Sequence, residues 1–248
     1  MSPSTLTART LGASARLKAR VAGALYLATT AGGFVNLSIE NSMIVRGDAA
    51  ATTSRILAAE PLFRLGILAE LVAGACYIGV TVLLYELLKP VNRTISLLAA
   101  FLSLAGCAVG AGSAVLLLAP FLLQGDGSQY MAAFTPQQLQ GLAMTAVRLE
   151  GQGYNISMMF FGLYCALVGG LVFRSGFMPR LVGVLMMCAG LGWLTNTFAA
   201  LIDPPFARSL QPYIMAPGGV GEISLMLWLL FVGVNGPQWE TRAEAAMA

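Results

Sequence analysis

Phe161–Leu194 reads FGLYCALVGGLVFRSGFMPRLVGVLMMCAGLGWL, two apolar runs meeting at the short basic turn Arg174-Ser-Gly-Phe-Met-Pro-Arg180. The Gly and the Pro between those arginines stop one helix and start the next. Basic residues in a short turn between two hydrophobic spans favour the cytoplasmic side of a membrane. The turn therefore predicts a helical hairpin in lipid and sets which way up it sits.

The composition carries the same reading to the whole chain. Of 248 residues, 57% are hydrophobic and only 10% are charged, where a soluble domain carries about 25% charged residues. Mean hydropathy is +0.77. Too little polar surface exists to clothe a globule in water, so the solvent is lipid. The net charge of +3 follows the membrane faces rather than a nucleic-acid footprint, and nucleic acid is excluded as a partner. The chain has no histidine, which removes the commonest metal ligand and the usual general base. Cys76, Cys107, Cys165 and Cys188 fall in four different apolar runs with no CxxC pair, so they read as packing residues, and no metal or cofactor is expected.

Outward from the hairpin, the chain divides into a cytoplasmic tail (1–19), a six-helix transmembrane domain (20–237) and a second cytoplasmic tail (238–248). The first span is Val21–Ile39, read as retained rather than cleaved, since it is long for a signal-peptide core and reaches Asn36 without a convincing A-x-A site. Asn41–Pro61 forms a loop with a short interfacial helix near Thr53–Glu60, for which Asp48, Thr52, Thr53 and Ser54 offer caps. The second span follows Pro61 and closes at Glu86, Lys89, Pro90 and Arg93. The third, Thr94–Leu123, has no charge and carries Gly106 and Gly110 with Ser103 and Ala114 nearby, a small-residue stripe that lets helices approach closely. A loop from Gln124 to about Gln140 holds Asp126 and no base. Thr135-Pro136 opens the fourth span, which runs to Phe173 with kink points at Gly151 and Gly153. The fifth is Leu181–Ile202, stopped by Asp203-Pro-Pro205, and the sixth runs from about Gly218 to Gly236.

Topology follows from counting bases. Nine of them (Arg9, Arg16, Lys18, Arg20, Lys89, Arg93, Arg174, Arg180, Arg242) fall on the inner side and three (Arg46, Arg55, Arg208) on the outer, with Arg64 and Arg148 near helix ends. Both termini are then cytoplasmic. With the inner bases as origins and about 1.5 Å per helical residue, Asn36 and Asn196 lie roughly 24 Å across, Glu70 and Asn155 roughly 28 Å, and Glu222 roughly 30 Å. Glu150 and Arg148 lie roughly 36 and 39 Å from Arg174 by the same measure. Five helices thus bring polar groups toward the outer edge of a hydrocarbon core about 30 Å thick. Arg148, Gln152 and Asn155 share one helix face; Arg148 and Glu150, two apart, point away from each other. Arg148 therefore needs a partner on another helix, with Glu70 and Glu222 as candidates, because an unpaired charge in lipid is costly.

Two interpretations stay open at this point. The seven polar residues are helix ends touching headgroups and water, braced by one ion pair, or they line a polar chamber open to the outer face. Tyr26, Tyr77, Tyr85, Trp193, Trp228 and Trp239 read as interfacial belt or packing aromatics rather than a cofactor box. The only lysines, Lys18 and Lys89, sit at the inner surface, so no buried amine exists to form a Schiff base. No P-loop, dinucleotide fingerprint, HExxH or GxSxG stretch occurs, and no inverted repeat relates the two halves.

Several stretches resemble a bacterial family of membrane proteins, the domain of unknown function 4386. They are Arg20-Val-Ala-Gly-Ala-Leu-Tyr26, Ala58-Ala-Glu-Pro-Leu-Phe-Arg-Leu-Gly66, Leu84-Tyr-Glu-Leu-Leu-Lys-Pro-Val-Asn92, Phe161-Gly162 through the basic turn to Ala189-Gly-Leu-Gly192, and Gly221-Glu-Ile-Ser-Leu-Met-Leu-Trp-Leu229. The resemblance implies a six-helix membrane protein and no activity. The expectation is an all-α, six-span bundle in a bacterial cytoplasmic inner membrane. Its function is the binding or transport of a small polar or lipid ligand at Glu70, Arg148, Glu150, Asn155 and Glu222, with Asn36 and Asn196 beside them. The alternatives are a non-catalytic partner or scaffold subunit, docking another membrane protein or a second copy through Gly106 and Gly110, and, last, an intramembrane enzyme using Glu as acid or base.

Overall fold

A computed structural model describes residues 3–124 and 131–246. Asp126, the acidic mark of the expected outer loop, lies outside them. The described residues are helical and contain no strand. Helix α1 (Pro3–Met43) is far longer than its expected span and absorbs the expected N-terminal tail. Ala, Leu, Arg and Lys dominate Leu6–Arg20, and these are strong helix formers. At its other end nothing breaks the helix at Ile39; the chain turns at Gly47, whose φ is 83°. Helix α2 (Ala49–Ala58) is the expected short helix, with the Asp48 carboxylate accepting from the Ala51 N–H. Helix α3 (Glu60–Leu88) takes Pro61 into its first turn, whereas the expected second span begins just after that proline.

The third apolar run is not one helix. Helix α4 (Arg93–Ala114) gives way to a 3₁₀ turn, Val115–Leu118, and then to the short α5 (Ala119–Gln124). Pro120 is the reason: it lacks an N–H, and its ring crowds the carbonyl four residues back, at Leu116. Helix α6 (Pro136–Ser175) starts on a reciprocal cap. The Gln138 N–H donates to Thr135 Oγ1 at 3.3 Å, and the Thr135 N–H donates to Gln138 Oε1 at 2.8 Å. The helix runs unbroken through Gly151 and Gly153, the expected kink points; Gly153 instead lets Ser113 of α4 pack against it. Helix α7 (Arg180–Ile202) leads through the Asp203 cap to α8 (Pro204–Leu227). A π-helical turn, Trp228–Val232, follows and stops at Gly233, whose φ is 78°. The expected C-terminal tail is largely a helix, α9 (Gly236–Ala245), bent 104° from the span Ala216–Val232.

Among the described residues five helices are long and apolar enough to cross a membrane, and six if the bent pair counts as one span. The surface agrees: Phe34, Phe101 and Phe231 are 71%, 61% and 70% exposed, a coat of large apolar side chains suited to lipid. The chain is an all-α, multi-pass membrane protein.

The chain divides into two compact units. The first comprises residues 1–27, 76–107 and 155–248. Its core is Tyr26, Tyr77, Leu84, Tyr164, Met186, Leu225 and Leu229 with their neighbours. Here α6 and α7 meet through two glycine pairs, Gly162 with Gly190 and Gly169 with Gly183. A Cβ on Gly169 would come within 2.6 Å of the Gly183 carbonyl oxygen, so the two backbones touch. The second unit comprises residues 28–75 and 108–154, with a core of Ile39, Met43, Ile56, Phe63, Ile67, Leu117 and Val147.

Candidate functional site

Each unit holds carboxylates among apolar helices, and their settings differ. In the first unit, five helices meet around Glu222 of α8. Its Oε2 accepts from the Tyr26 hydroxyl of α1 at 2.8 Å, and its Oε1 accepts from the Trp193 indole N–H of α7 at 2.7 Å. Cys165 Sγ of α6 stands 4.0 Å from Oε1. Tyr77 of α3 packs its ring edge-to-face on Tyr26 at 5.4 Å, on Phe161 at 5.1 Å and on Tyr164 at 5.9 Å between centroids. Gly218 makes the approach of the indole possible, since a Cβ there would lie 2.8 Å from the Trp193 ring. One helical turn later Glu222 receives that indole's N–H, so a glycine and an acid spaced i, i+4 make one socket. The acid is satisfied by neutral donors.

In the second unit, Asn36 and Glu40 stand one turn apart on α1. The Asn36 amide donates to Glu40 Oε1 and to Glu70 Oε2 of α3, each at 3.3 Å. Glu150 of α6, 7% exposed, is close enough to both carboxylates for their charges to interact. Gly66, one turn before Glu70, leaves the room that the Asn36 side chain fills: a Cβ at that position would lie 3.0 Å from Asn36 Oδ1. Gly32 packs against Ala69 and Ala73, and the Thr29 hydroxyl donates to the Ala73 carbonyl at 3.0 Å. Thr29, Gly32 and Asn36 thus form one face of α1 laid along α3. Three carboxylates and one amide from three helices therefore share a membrane-spanning unit.

Among the described residues the ion pairs are Lys18–Glu86, Lys89–Glu86 and Arg64–Glu60. None involves the cluster. Arg64 spends its charge on Glu60 at 2.7 Å and over the Phe121 ring at 4.5 Å. Arg148 is exposed on α6 while Glu150 is buried, as their two-residue spacing requires. The ion pair expected between Arg148 and Glu70 or Glu222 does not form: the face that turns Glu150 inward turns Arg148 out. Of the seven expected site residues, Asn36, Glu70 and Glu150 come together. Arg148 lies in the same unit but faces away. In the first unit Glu222 has its own socket, Asn196 is buried on α7, and the Asn155 carbonyl accepts from the Thr197 hydroxyl at 3.0 Å.

Sequence reasoning misses Glu40, Tyr26 and Trp193 as site residues. Glu40 is legible as the i+4 neighbour of Asn36 once the first helix is carried past Ile39. Tyr26 and Trp193 carry no such signal, because an aromatic in an apolar run reads equally well as packing.

Comparison with known proteins adds family and no activity. An uncharacterized protein of Archaeoglobus fulgidus is 26% identical over 157 residues, covering 63% of this chain and 76% of that protein. No solved structure matches. The family model described as a domain of unknown function, DUF4386, matches residues 21–233, most of the chain and all of its membrane-spanning helices in whole or in large part, and the chain belongs to that family.

Proposed function

We propose that this protein binds, and in its membrane setting carries, a small organic cation or the cationic end of a polar or lipid ligand at Asn36, Glu40, Glu70 and Glu150. The observation that supports this is the gathering of three acids in one apolar unit, with no arginine or lysine ion-paired to them among the described residues. Uncompensated charge in lipid is costly and marks functional sites, and a cation from outside supplies what the chain withholds. Among the described residues no group of three or more acid or thiol side chains is arranged to hold a metal ion, which favours a hydrogen-bonding ligand such as a protonated amine. On the nine-to-three bias of bases, both ends of the chain face the cytoplasm in a cytoplasmic inner membrane, and the cluster opens toward the outer leaflet. A docking subunit seated on Gly106 has less support, because the Phe161 ring already fills that space from within the chain.

The test is thermal unfolding of the purified chain in lipid nanodiscs across a panel of primary and quaternary amines. A binding amine raises the melting temperature of the wild type, and Glu70→Gln or Glu150→Gln abolishes that rise while Arg148→Gln keeps it. Glu150→Gln also raises the melting temperature without ligand, because one of three like charges is gone. A fall in both Gln variants without ligand would show the acids to be structural braces.

A further inference from the structure

We propose that the first unit binds an anionic phospholipid in a cavity of about 330 Å³ between α4, α6 and α9, with the lipid phosphate on Arg174 and Arg242. None of its residues belongs to the carboxylate cluster. Its polar lining is Arg174, Arg242 and Asn92; its apolar wall includes Ile95, Leu167 and Gly170.

The cavity is built by the fold of the C-terminal segment. The chain bends 104° after Val232, through Gly233, and α9 is then tied down at two points. The Asn235 N–H donates to the Phe177 carbonyl at 3.1 Å, and the Trp239 indole N–H donates to the Leu87 carbonyl at 2.9 Å. Arg242 follows Trp239 by three residues, on the same face of α9. Seating the indole on the end of α3 therefore brings the Arg242 guanidinium to the cavity beside Asn92, which caps α4 through the Ile95 N–H at 2.9 Å. Arg174 arrives from the last turn of α6.

Neither arginine belongs to an ion pair among the described residues, and Glu86, the acid at the end of α3, is committed to Lys18 and Lys89. Two arginines outside any ion pair line one cavity, and a guanidinium fork matches phosphate oxygens. Basic pockets between transmembrane helices suit anionic headgroups. A free phosphate has no use for the apolar wall that continues from the arginines, whereas a lipid's glycerol and first acyl carbons do. That wall favours the lipid.

The full chain in detergent micelles, offered phosphatidylglycerol and phosphatidylcholine together, is read by native mass spectrometry for retained lipid. Phosphatidylglycerol is retained in preference, and the double variant Arg174→Gln/Arg242→Gln lowers its retention about tenfold, the loss of a charge-assisted contact. Gly170→Phe fills the apolar wall one turn from Arg174 while keeping both guanidinium groups in the chain, and no atom beyond the chain neighbours and the helix's own backbone lies within 4 Å of a Cβ at Gly170; it also expels the lipid. Arg93→Gln/Arg180→Gln, which removes two bases from neighbouring turns outside the cavity, leaves retention unchanged. Equal retention of the two lipids, or equal loss in the two double variants, overturns the site. Retention that survives Gly170→Phe, or displacement of the lipid by millimolar inorganic phosphate, assigns the arginines to a free anion and overturns the lipid.

Discussion

At the scale of the residue, Glu222 shows how a carboxylate is kept inside a lipid-solvated bundle without a base. Two neutral donors, the Tyr26 hydroxyl and the Trp193 indole, each give it one hydrogen bond. An unmade bond to a buried polar group costs about 1–3 kcal/mol. Tyr26→Phe is therefore expected to lower stability by about that amount, measured as a lower denaturation midpoint in micelles. Glu222→Leu strands both donors at once and costs more than Tyr26→Phe; Glu222→Gln, which keeps an acceptor, costs least. A Leu variant more stable than the wild type would show that the acid is tolerated there rather than used as a clasp. Glu222 is conspicuous in the sequence as an acid in an apolar run, and that much is legible. Its donors are not, because Tyr26 and Trp193 lie 196 and 29 residues away along the chain, and only packing brings them to it.

At the scale of the element, adjacent glycines on α6 do opposite things. Gly169 lies against α7, where a Cβ would meet the Gly183 carbonyl oxygen at 2.6 Å, while Gly170 faces open space. Gly169→Ala is expected to push α6 and α7 apart and destabilise the protein. Gly170→Ala is expected to be neutral or to stabilise, by up to about 1 kcal/mol from helix propensity. Similar melting temperatures for the two variants would contradict the contact. The seven-residue spacing from Gly162 to Gly169 and from Gly183 to Gly190 repeats on both sides of the basic turn, a small-residue periodicity that the order of amino acids displays directly. The stripe at Gly106 is the more conspicuous one in an uncharged run, yet it packs on a ring of the same chain. Pro120 carries a plain local signal too: α5 starts where its ring forbids the helix to continue.

At the scale of the whole molecule, the arrangement of bases makes a prediction about orientation. In a chain stripped of its own cysteines, Thr94→Cys is expected to react with a membrane-impermeant maleimide only from the cytoplasmic face. Ser209→Cys reacts from the outside. Both positions are exposed, so reactivity reports the side and not burial. The reverse labelling would invert the topology and with it the leaflet that the carboxylate cluster faces. The 104° bend before α9 belongs to the same scale, since a segment whose composition reads as polar tail becomes a helix that carries Trp239 and Arg242.

The amino-acid sequence by itself determined that this chain is helical, that it lives in lipid, and where most of its spans start and stop. Those properties depend on local quantities: hydropathy summed over a turn, a missing N–H at proline, a side chain able to cap. Tertiary structure alone decided which polar residues meet. Asn36, Glu40, Glu70 and Glu150 come from three helices, and depth along a helix says nothing of its rotation about its own axis or of which neighbour it faces. That rotation is settled by side-chain packing between helices, such as Gly66 making room for Asn36 and Gly218 for Trp193, and it turned Arg148 outward while turning Glu150 in.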